Sequence, residues 1–300
     1  MTQPGLILQP DDRALLHLLG EKFLLLNAAQ IQRLFPHRSP RALKARLKKL
    51  MAARFLNQRF IESDARLFRP EPLYYLGLEG QTIVDPDRSN KKVQSRVKDA
   101  RNVTSAGVAH MLLADSIQVT FLRATAEYPD YELVDYIPHY DPVWKKLAEH
   151  GFPFRPDGYA EYAKNGRTFH CFVEADRGTY RGSHLRRRLD IYRAYARSGT
   201  FSVHFSTRTR FRVLFIAPSR GRARSLSRAM SADDTELFWI SARHDFESQP
   251  LFHPYWLSHV RHAPHSLDEP TDQIPDPPLP IPSVPPSLPK STCLEKPTQE

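Results

Sequence analysis

The 300-residue sequence predicts a protein of the α+β or α/β class, with two domains and a proline-rich tail. Helical spacing of apolar residues occurs three times within residues 11–84 and is followed by two strand-like segments. Residues 104–262 show the order α-β-β-β-α-β-α-β, which is typical of a mixed sheet flanked by helices. Residues 85–103 between them are polar and basic, so we expect a partly helical linker there.

Start signals indicate the first two helices of the N-terminal domain. Asp11 and Asp12 precede leucines at helical spacing, and acidic residues stabilise the N-terminus of a helix. Asn27 is a good N-cap for the second helix.

The third helix has the strongest start signal, because Ser39 is a suitable N-cap and Pro40 would take the first helical position. One face is apolar, and the remainder carries a run of basic side chains. Four of these basic residues are candidates for contacts to DNA: Arg41, Lys44, Arg46 and Lys48. The alternative is that they only solvate an exposed face.

Two strand-like segments, "FLNQRF" and "LFRPEPLYYLGL", follow these helices and bracket a polar turn. Three helices followed by a two-stranded wing resemble the winged helix-turn-helix family. That resemblance implies that the third helix is the recognition helix and enters the major groove of DNA.

Three signals define the second domain. Asn165-Gly166 is a typical two-residue hairpin turn, and Gly199 is suited to close a helix. The continuous apolar run "FRVLFIAP" predicts a buried central strand.

The stretch "FHCFVEAD" places two carboxylates at the end of a strand. Glu174 and Asp176 are two residues apart, so their side chains point to the same side of a sheet. Asp157, in "RPDGY", lies on the neighbouring hairpin strand. Arg188 lies on the inward face of the next helix, from which it could reach both Glu174 and Asp176. Like charges this close need a cation, so a metal site, an arginine-paired corner and a solvated strand end all remain open.

The order of elements in this domain resembles the PD-(D/E)XK nuclease-like, or restriction-endonuclease-like, fold. The resemblance implies that Asp157 and Glu174 hold Mg²⁺ for phosphodiester hydrolysis. Lysine is expected two residues after the second acid, and this chain has Asp176 there. Arg188 would then stabilise phosphate charge, in a catalytic set of Asp157, Glu174, Asp176 and Arg188.

The body of the chain, from residue 11 to about 260, resembles the plasmid replication-relaxation protein family. The run from "RPDGY" through "FVEADRGT" to "LRRRLDIYRAY" carries the resemblance. It implies a role in replication or relaxation of plasmid or mobile-element DNA, with plasmid replication or relaxase proteins as further partners.

Charge agrees with double-stranded DNA as the partner. The net charge is +10, and it rises to +14 without the acidic segment 263–300. Such a surplus favours a polyanion, nucleic acid before membrane. Arg220 and Arg222 follow the central strand, where a helix N-terminus could meet phosphate, and the alternative is that they only solvate the surface.

Simpler sequence patterns predict the cellular location of the protein and the state of its C-terminal tail. No apolar run approaches a membrane span, and the first residues do not form a secretory signal, so we expect a cytoplasmic protein without membrane contact. Residues 263–300 contain eleven prolines and are expected to be disordered.

Three functions therefore stay open at this point. The chain is a DNA-handling protein with a nuclease-like domain, an active Mg²⁺-dependent nickase or endonuclease, or a winged-helix transcription regulator whose second domain docks partners.

Overall fold

The computed structural model describes residues 6–60, 71–178, 182–205, 207, 210–258 and 265–268. The chain divides into two compact units, Met1–Val119 and Thr120–Glu300. Most of the predicted tail, residues 263–300, lies outside the described residues, and so does the predicted turn at the tip of the wing, within residues 61–70.

The first unit is built from helices around a small sheet. In chain order its elements are α1 (Pro10–Glu21), β1 (Leu26–Asn27), α2 (Ala28–Leu34), α3 (Pro40–Ala52), β2 (Leu56–Phe60), β3 (Pro72–Leu76), α4 (Leu78–Val84), α5 (Lys91–Asn102) and the start of α6 (Ser105–Glu127).

The predicted helix starts are confirmed. The Asn27 side chain accepts a hydrogen bond from Gln30 N at 2.8 Å, and Ser39 Oγ accepts one from Ala42 N at 3.2 Å. Each cap satisfies an amide that the first turn of a helix leaves without a backbone partner. Asp12 contributes to the start of α1 by accepting from the Gln9 amide at 2.6 Å.

The two predicted strands β2 and β3 pair antiparallel, with Leu56 opposite Leu76 and Phe60 opposite Pro72. The two-residue strand β1 pairs with the other edge of β3, which gives the strand order β1-β3-β2. Within the predicted linker, residues 91–102 form α5, whose Val93 and Val97 are buried.

The second unit is a mixed sheet with helices packed on it, so the predicted mixed α/β class is confirmed. Its elements after α6 are β4 (Tyr131–Pro138), α7 (Val143–Glu149), β5 (Gly158–Lys164), β6 (Arg167–Ala175), α8 (Gly182–Ser198), α9 (Thr200–His204), β7 (Phe211–Ala217), α10 (Arg220–Arg228), a 3-10 turn (Ala232–Asp234), β8 (Phe238–Ala242) and α11 (Arg243–Ser248).

The five strands lie in the order β4-β5-β6-β7-β8. Strand β5 runs antiparallel to both β4 and β6, and β7 runs parallel to both β6 and β8. The predicted hairpin turn is confirmed, because Asn165 and Gly166 both have positive φ between β5 and β6. Every residue of β7 is buried, as predicted for a central strand.

One face of this sheet carries the core that positions the candidate site. Phe172 of β6 and Phe215 of β7 share a hydrophobic cluster with Leu189 of α8 and Leu226 of α10. Because side chains alternate along a strand, Glu174 and Asp176 project to the same face as Phe172, towards these two helices.

Residues 265–268 belong to the packed part of the unit, although the sequence predicts them to be part of the disordered tail. Leu267 is fully buried, and its carbonyl accepts hydrogen bonds from Tyr162 Oη at 3.0 Å and Arg212 Nη1 at 3.1 Å.

Candidate functional site

The candidate carboxylates meet at one edge of the second unit's sheet, where β6 ends and β5 begins. The Asp157 amide donates to the Val173 carbonyl at 3.0 Å, and Asp157 Oδ2 accepts from the Ala175 amide at 2.7 Å. These two bonds flank Glu174 on β6, so Asp157 and Glu174 are neighbours across the two strands. The structure thus brings together the two residues that the sequence indicated as a pair.

Glu174 is fully buried, and its carboxylate is compensated from α8. Arg188 donates to Glu174 Oε1 from Nε at 3.1 Å and from Nη2 at 2.5 Å. Tyr192, one helical turn further on, donates its hydroxyl to the same oxygen. The i, i+4 spacing puts both donors on the face of α8 that packs against the sheet.

Arg188 makes further contacts besides its ion pair with Glu174. Its Nη2 also donates to the Arg155 carbonyl at 2.7 Å, and its guanidinium lies 5.6 Å from the Phe154 ring centroid and 5.4 Å from that of Tyr192. Only 18% of the side chain is exposed. The guanidinium is therefore fixed by a carboxylate, a carbonyl and two aromatic rings.

Asp176 is also fully buried but has a different cation. Arg222 Nε, in the first turn of α10, donates to Asp176 Oδ2 at 2.7 Å. Asp176 Oδ1 accepts from the Gly178 amide at 2.7 Å, and the positive φ of 81° at Gly178 makes this tight turn easiest for glycine. We expected Arg188 to serve both carboxylates, whereas Asp176 takes Arg222.

Burial dominates the acid–base properties of this site. Loss of solvent raises the pKa of Glu174, and Arg188 opposes that rise while the nearby Asp157 charge adds to it. Burial also raises the pKa of Tyr192 well above its ordinary value, with a further contribution from Glu174. Tyr192 therefore stays protonated and acts as a hydrogen-bond donor to the carboxylate.

The arrangement does not fit a Mg²⁺ ion as the residues stand. Hard divalent cations need several free oxygen ligands, whereas N–H and O–H donors here occupy Glu174 Oε1, both oxygens of Asp176 and Asp157 Oδ2. Across the residues that the structure describes, no group of three or more His, Cys, Asp or Glu side chains is placed to hold a metal.

The candidate DNA-binding residues of α3 fall into two groups. Arg41, Lys44 and Lys48 are exposed, while the apolar face of α3 is buried. Arg46 instead forms an ion pair with the buried carboxylate of Asp12 on α1. The Asp12 contact raises the pKa of Arg46, and it fixes the guanidinium against α1.

Arg220 and Arg222 likewise contact carboxylates of their own chain. Arg220 is exposed and pairs with Asp245 at 2.5 Å, while Arg222 holds Asp176. Sequence reasoning missed these acidic partners, and it also missed Tyr192 as a hydrogen-bond donor to Glu174. The spacing of Tyr192 four residues after Arg188 was the available signal.

Together, the mixed sheet and its arginine-bridged carboxylates define an α/β protein with a neutralised acidic cluster at the sheet edge. The sequence matches the replication-relaxation family over residues 16–209, and the chain belongs to that family. This membership supports a role in replication and DNA handling. No curated protein matches the chain.

Two solved structures show a distant likeness. A structure of restriction endonuclease FokI bound to DNA is 12% identical with a TM-score of 0.26, and another FokI structure is 14% identical with a TM-score of 0.25. Each match covers 79% of this chain and 43% of the FokI chain, so this chain spans less than half of their length. TM-scores this low do not establish a common fold.

Within the described ranges, no helix combines the length and the apolar character that crossing a membrane requires.

Proposed function

We propose that this chain is a cytoplasmic DNA-binding protein that acts in replication or relaxation of plasmid or mobile-element DNA. The first unit binds double-stranded DNA as a winged helix-turn-helix, and the second unit holds DNA or replication partners without cutting. The exposed basic face of α3 is the observation that carries this proposal.

The layout of α3 supports a role in the DNA groove. Its buried residues anchor the helix on the unit, and Arg41, Lys44 and Lys48 lie on the exposed part of the helix at i, i+3 and i+7. A single helix face with three cations and no acidic residue suits the negative potential of a duplex. The antiparallel pair β2–β3 after the helix supplies the wing.

The ion pair between Arg46 and Asp12 supports the same arrangement from the protein side. It joins α3 to α1 at a position where Asp12 is 3% exposed, so the recognition helix is held in a fixed orientation. We therefore assign Arg46 a positioning role and leave the DNA contacts to Arg41, Lys44 and Lys48.

Fluorescence anisotropy with a labelled mixed-sequence duplex tests the proposal. The variant Arg41→Ala/Lys44→Ala/Lys48→Ala should bind more weakly. The negative slope of log affinity against log salt should become shallower by roughly 0.9 for each phosphate that the protein no longer neutralises. The control Lys91→Ala/Lys98→Ala/Lys145→Ala removes the same charge from exposed positions on other helices.

An equal loss of affinity in both triple variants would mean that only net charge matters and would overturn the role of α3. Failure of the wild type to bind duplex DNA at low salt would refute the first unit's proposed role.

The competing function is a Mg²⁺-dependent nickase or endonuclease. The adjacency of Asp157 and Glu174 across β5 and β6 favours it, because metal-assisted hydrolysis uses such carboxylates. The contacts of Arg188 to Glu174 argue against it, since arginine stays charged and does not shuttle protons. Nicking that Asp157→Ala and Glu174→Ala both abolish would establish this alternative.

A further inference from the structure

The guanidinium of Arg188 bridges two oxygens at the sheet edge. From Nη2 it reaches Glu174 Oε1 at 2.5 Å on β6 and the Arg155 carbonyl at 2.7 Å, two residues before Asp157. This cation therefore joins a β6 carboxylate to the backbone leading into β5.

The electrostatics of the buried cluster depend on this cation. Glu174 and Asp176 are both fully buried, and Asp157 lies beside Glu174. Carboxylates this close destabilise one another unless positive charge compensates them. Arg188 and Arg222, from two different helices, supply that compensation, and each is bonded to its own carboxylate.

A divalent ion would have to displace an arginine that is firmly held. Arg188 packs against the rings of Phe154 and Tyr192, and Tyr192 donates to the same carboxylate oxygen. Exchange would break the bond to the Arg155 carbonyl and leave a guanidinium without its buried partner, which is unfavourable.

We propose that Arg188 is a built-in cation that takes the place of a divalent metal between β5 and β6, so that this edge of the sheet is maintained without metal. Removal of Arg188 would release Glu174 Oε1 and the Arg155 carbonyl from the guanidinium, and these oxygens would form a divalent-cation site with Asp157. The inference rests on the proposed non-cleaving role of the second unit, but its test uses no DNA, so the two can fail separately.

The test titrates Mn²⁺ into the full chain and measures free Mn²⁺ by electron paramagnetic resonance. We expect wild type and the control Arg220→Ala to bind Mn²⁺ equally weakly. This control removes another arginine–carboxylate pair from the same unit. Arg188→Met keeps an apolar side chain against Phe154 and Tyr192, and it should bind Mn²⁺ at least about tenfold more tightly than wild type. Adding Glu174→Gln to that variant should abolish the gain.

Three results would overturn the proposal: Mn²⁺ binding by wild type that Asp157→Asn or Glu174→Gln removes, no gain in Arg188→Met, or a gain that survives Glu174→Gln. If Arg188→Met does not fold without metal, the rise in its folded fraction on addition of Mn²⁺, followed by circular dichroism, replaces the titration. A rise that depends on Glu174 supports the proposal, and no rise refutes it.

Discussion

Arg188 Nη2 lies 2.5 Å from Glu174 Oε1, and this contact joins a side chain that is 18% exposed to a carboxylate that is fully buried. The pair connects the inward face of α8 to the end of β6. The sequence left open a metal site, an arginine-paired corner or a solvated strand end at this place, and the structure has an arginine pair there.

Breaking this pair from either side should destabilise the second unit strongly. Glu174→Gln and Arg188→Met each leave one member of a buried pair without its partner, which costs about 3–5 kcal/mol. The double variant should lose much less than the sum of the two, because no uncompensated charge remains. Urea unfolding measures all four stabilities, and additive losses would contradict direct coupling.

Tyr192→Phe should destabilise the protein by about 1–3 kcal/mol, because it removes a hydroxyl that donates to a buried carboxylate. Tyr195→Phe is the matched control on the same helix, since the Tyr195 hydroxyl contacts partly exposed His204 instead. Chemical denaturation should show the larger loss for Tyr192→Phe, and the reverse order would argue against its role in holding Glu174.

Acid should destabilise the second unit through His170. Burial lowers the pKa of His170 to about 4, below its ordinary 6.5. The unfolded chain therefore binds this proton first, and stability present above pH 6.5 is lost as the pH falls towards 4, by roughly 3 kcal/mol in total. His170→Asn should flatten that part of the curve, whereas the exposed control His253→Asn should leave it unchanged.

Asp115 in the first unit should show the opposite pH dependence. It is 1% exposed, and burial raises its pKa well above the ordinary 3.8 although Arg96 opposes the rise. Its stabilising contribution is therefore complete below pH 3.8 and is lost as the pH rises through its folded-state pKa. Asp115→Asn should gain stability over wild type at neutral pH and lose that gain in acid.

The matched control for that experiment is Asp87→Asn, because Asp87 is exposed. Thermal melts of wild type and both variants at several pH values measure the pH dependence of their stability. A gain from Asp115→Asn that does not depend on pH would show that its ionisation is not the cause.

Local signals predicted much of the fold. The caps at Asn27 and Ser39, the Asn165-Gly166 turn and the buried strand β7 all follow from near neighbours in sequence and from burial. The short helices α7, α9 and α11 were not predicted, because a helix of five to seven residues is stabilised by packing rather than by its own sequence.

The candidate site was only partly predictable. Asp157 and Glu174 flank a hairpin whose register the turn sets, so their meeting could be predicted from the sequence. Arg222 lies 46 residues from Asp176, and Arg46 lies 34 residues from Asp12. Such pairs are selected by tertiary packing, and basic runs in a sequence do not reveal which arginines have internal partners.

The decisive experiment for a non-cleaving role is incubation of supercoiled plasmid with the purified chain and Mg²⁺ or Mn²⁺, with Glu174→Ala and Asp157→Ala run alongside. We predict a salt-sensitive mobility shift of the plasmid by wild type and no conversion to nicked or linear DNA. Nicking by wild type that both substitutions abolish would contradict this prediction and would make the arginine-bridged cluster a nuclease site.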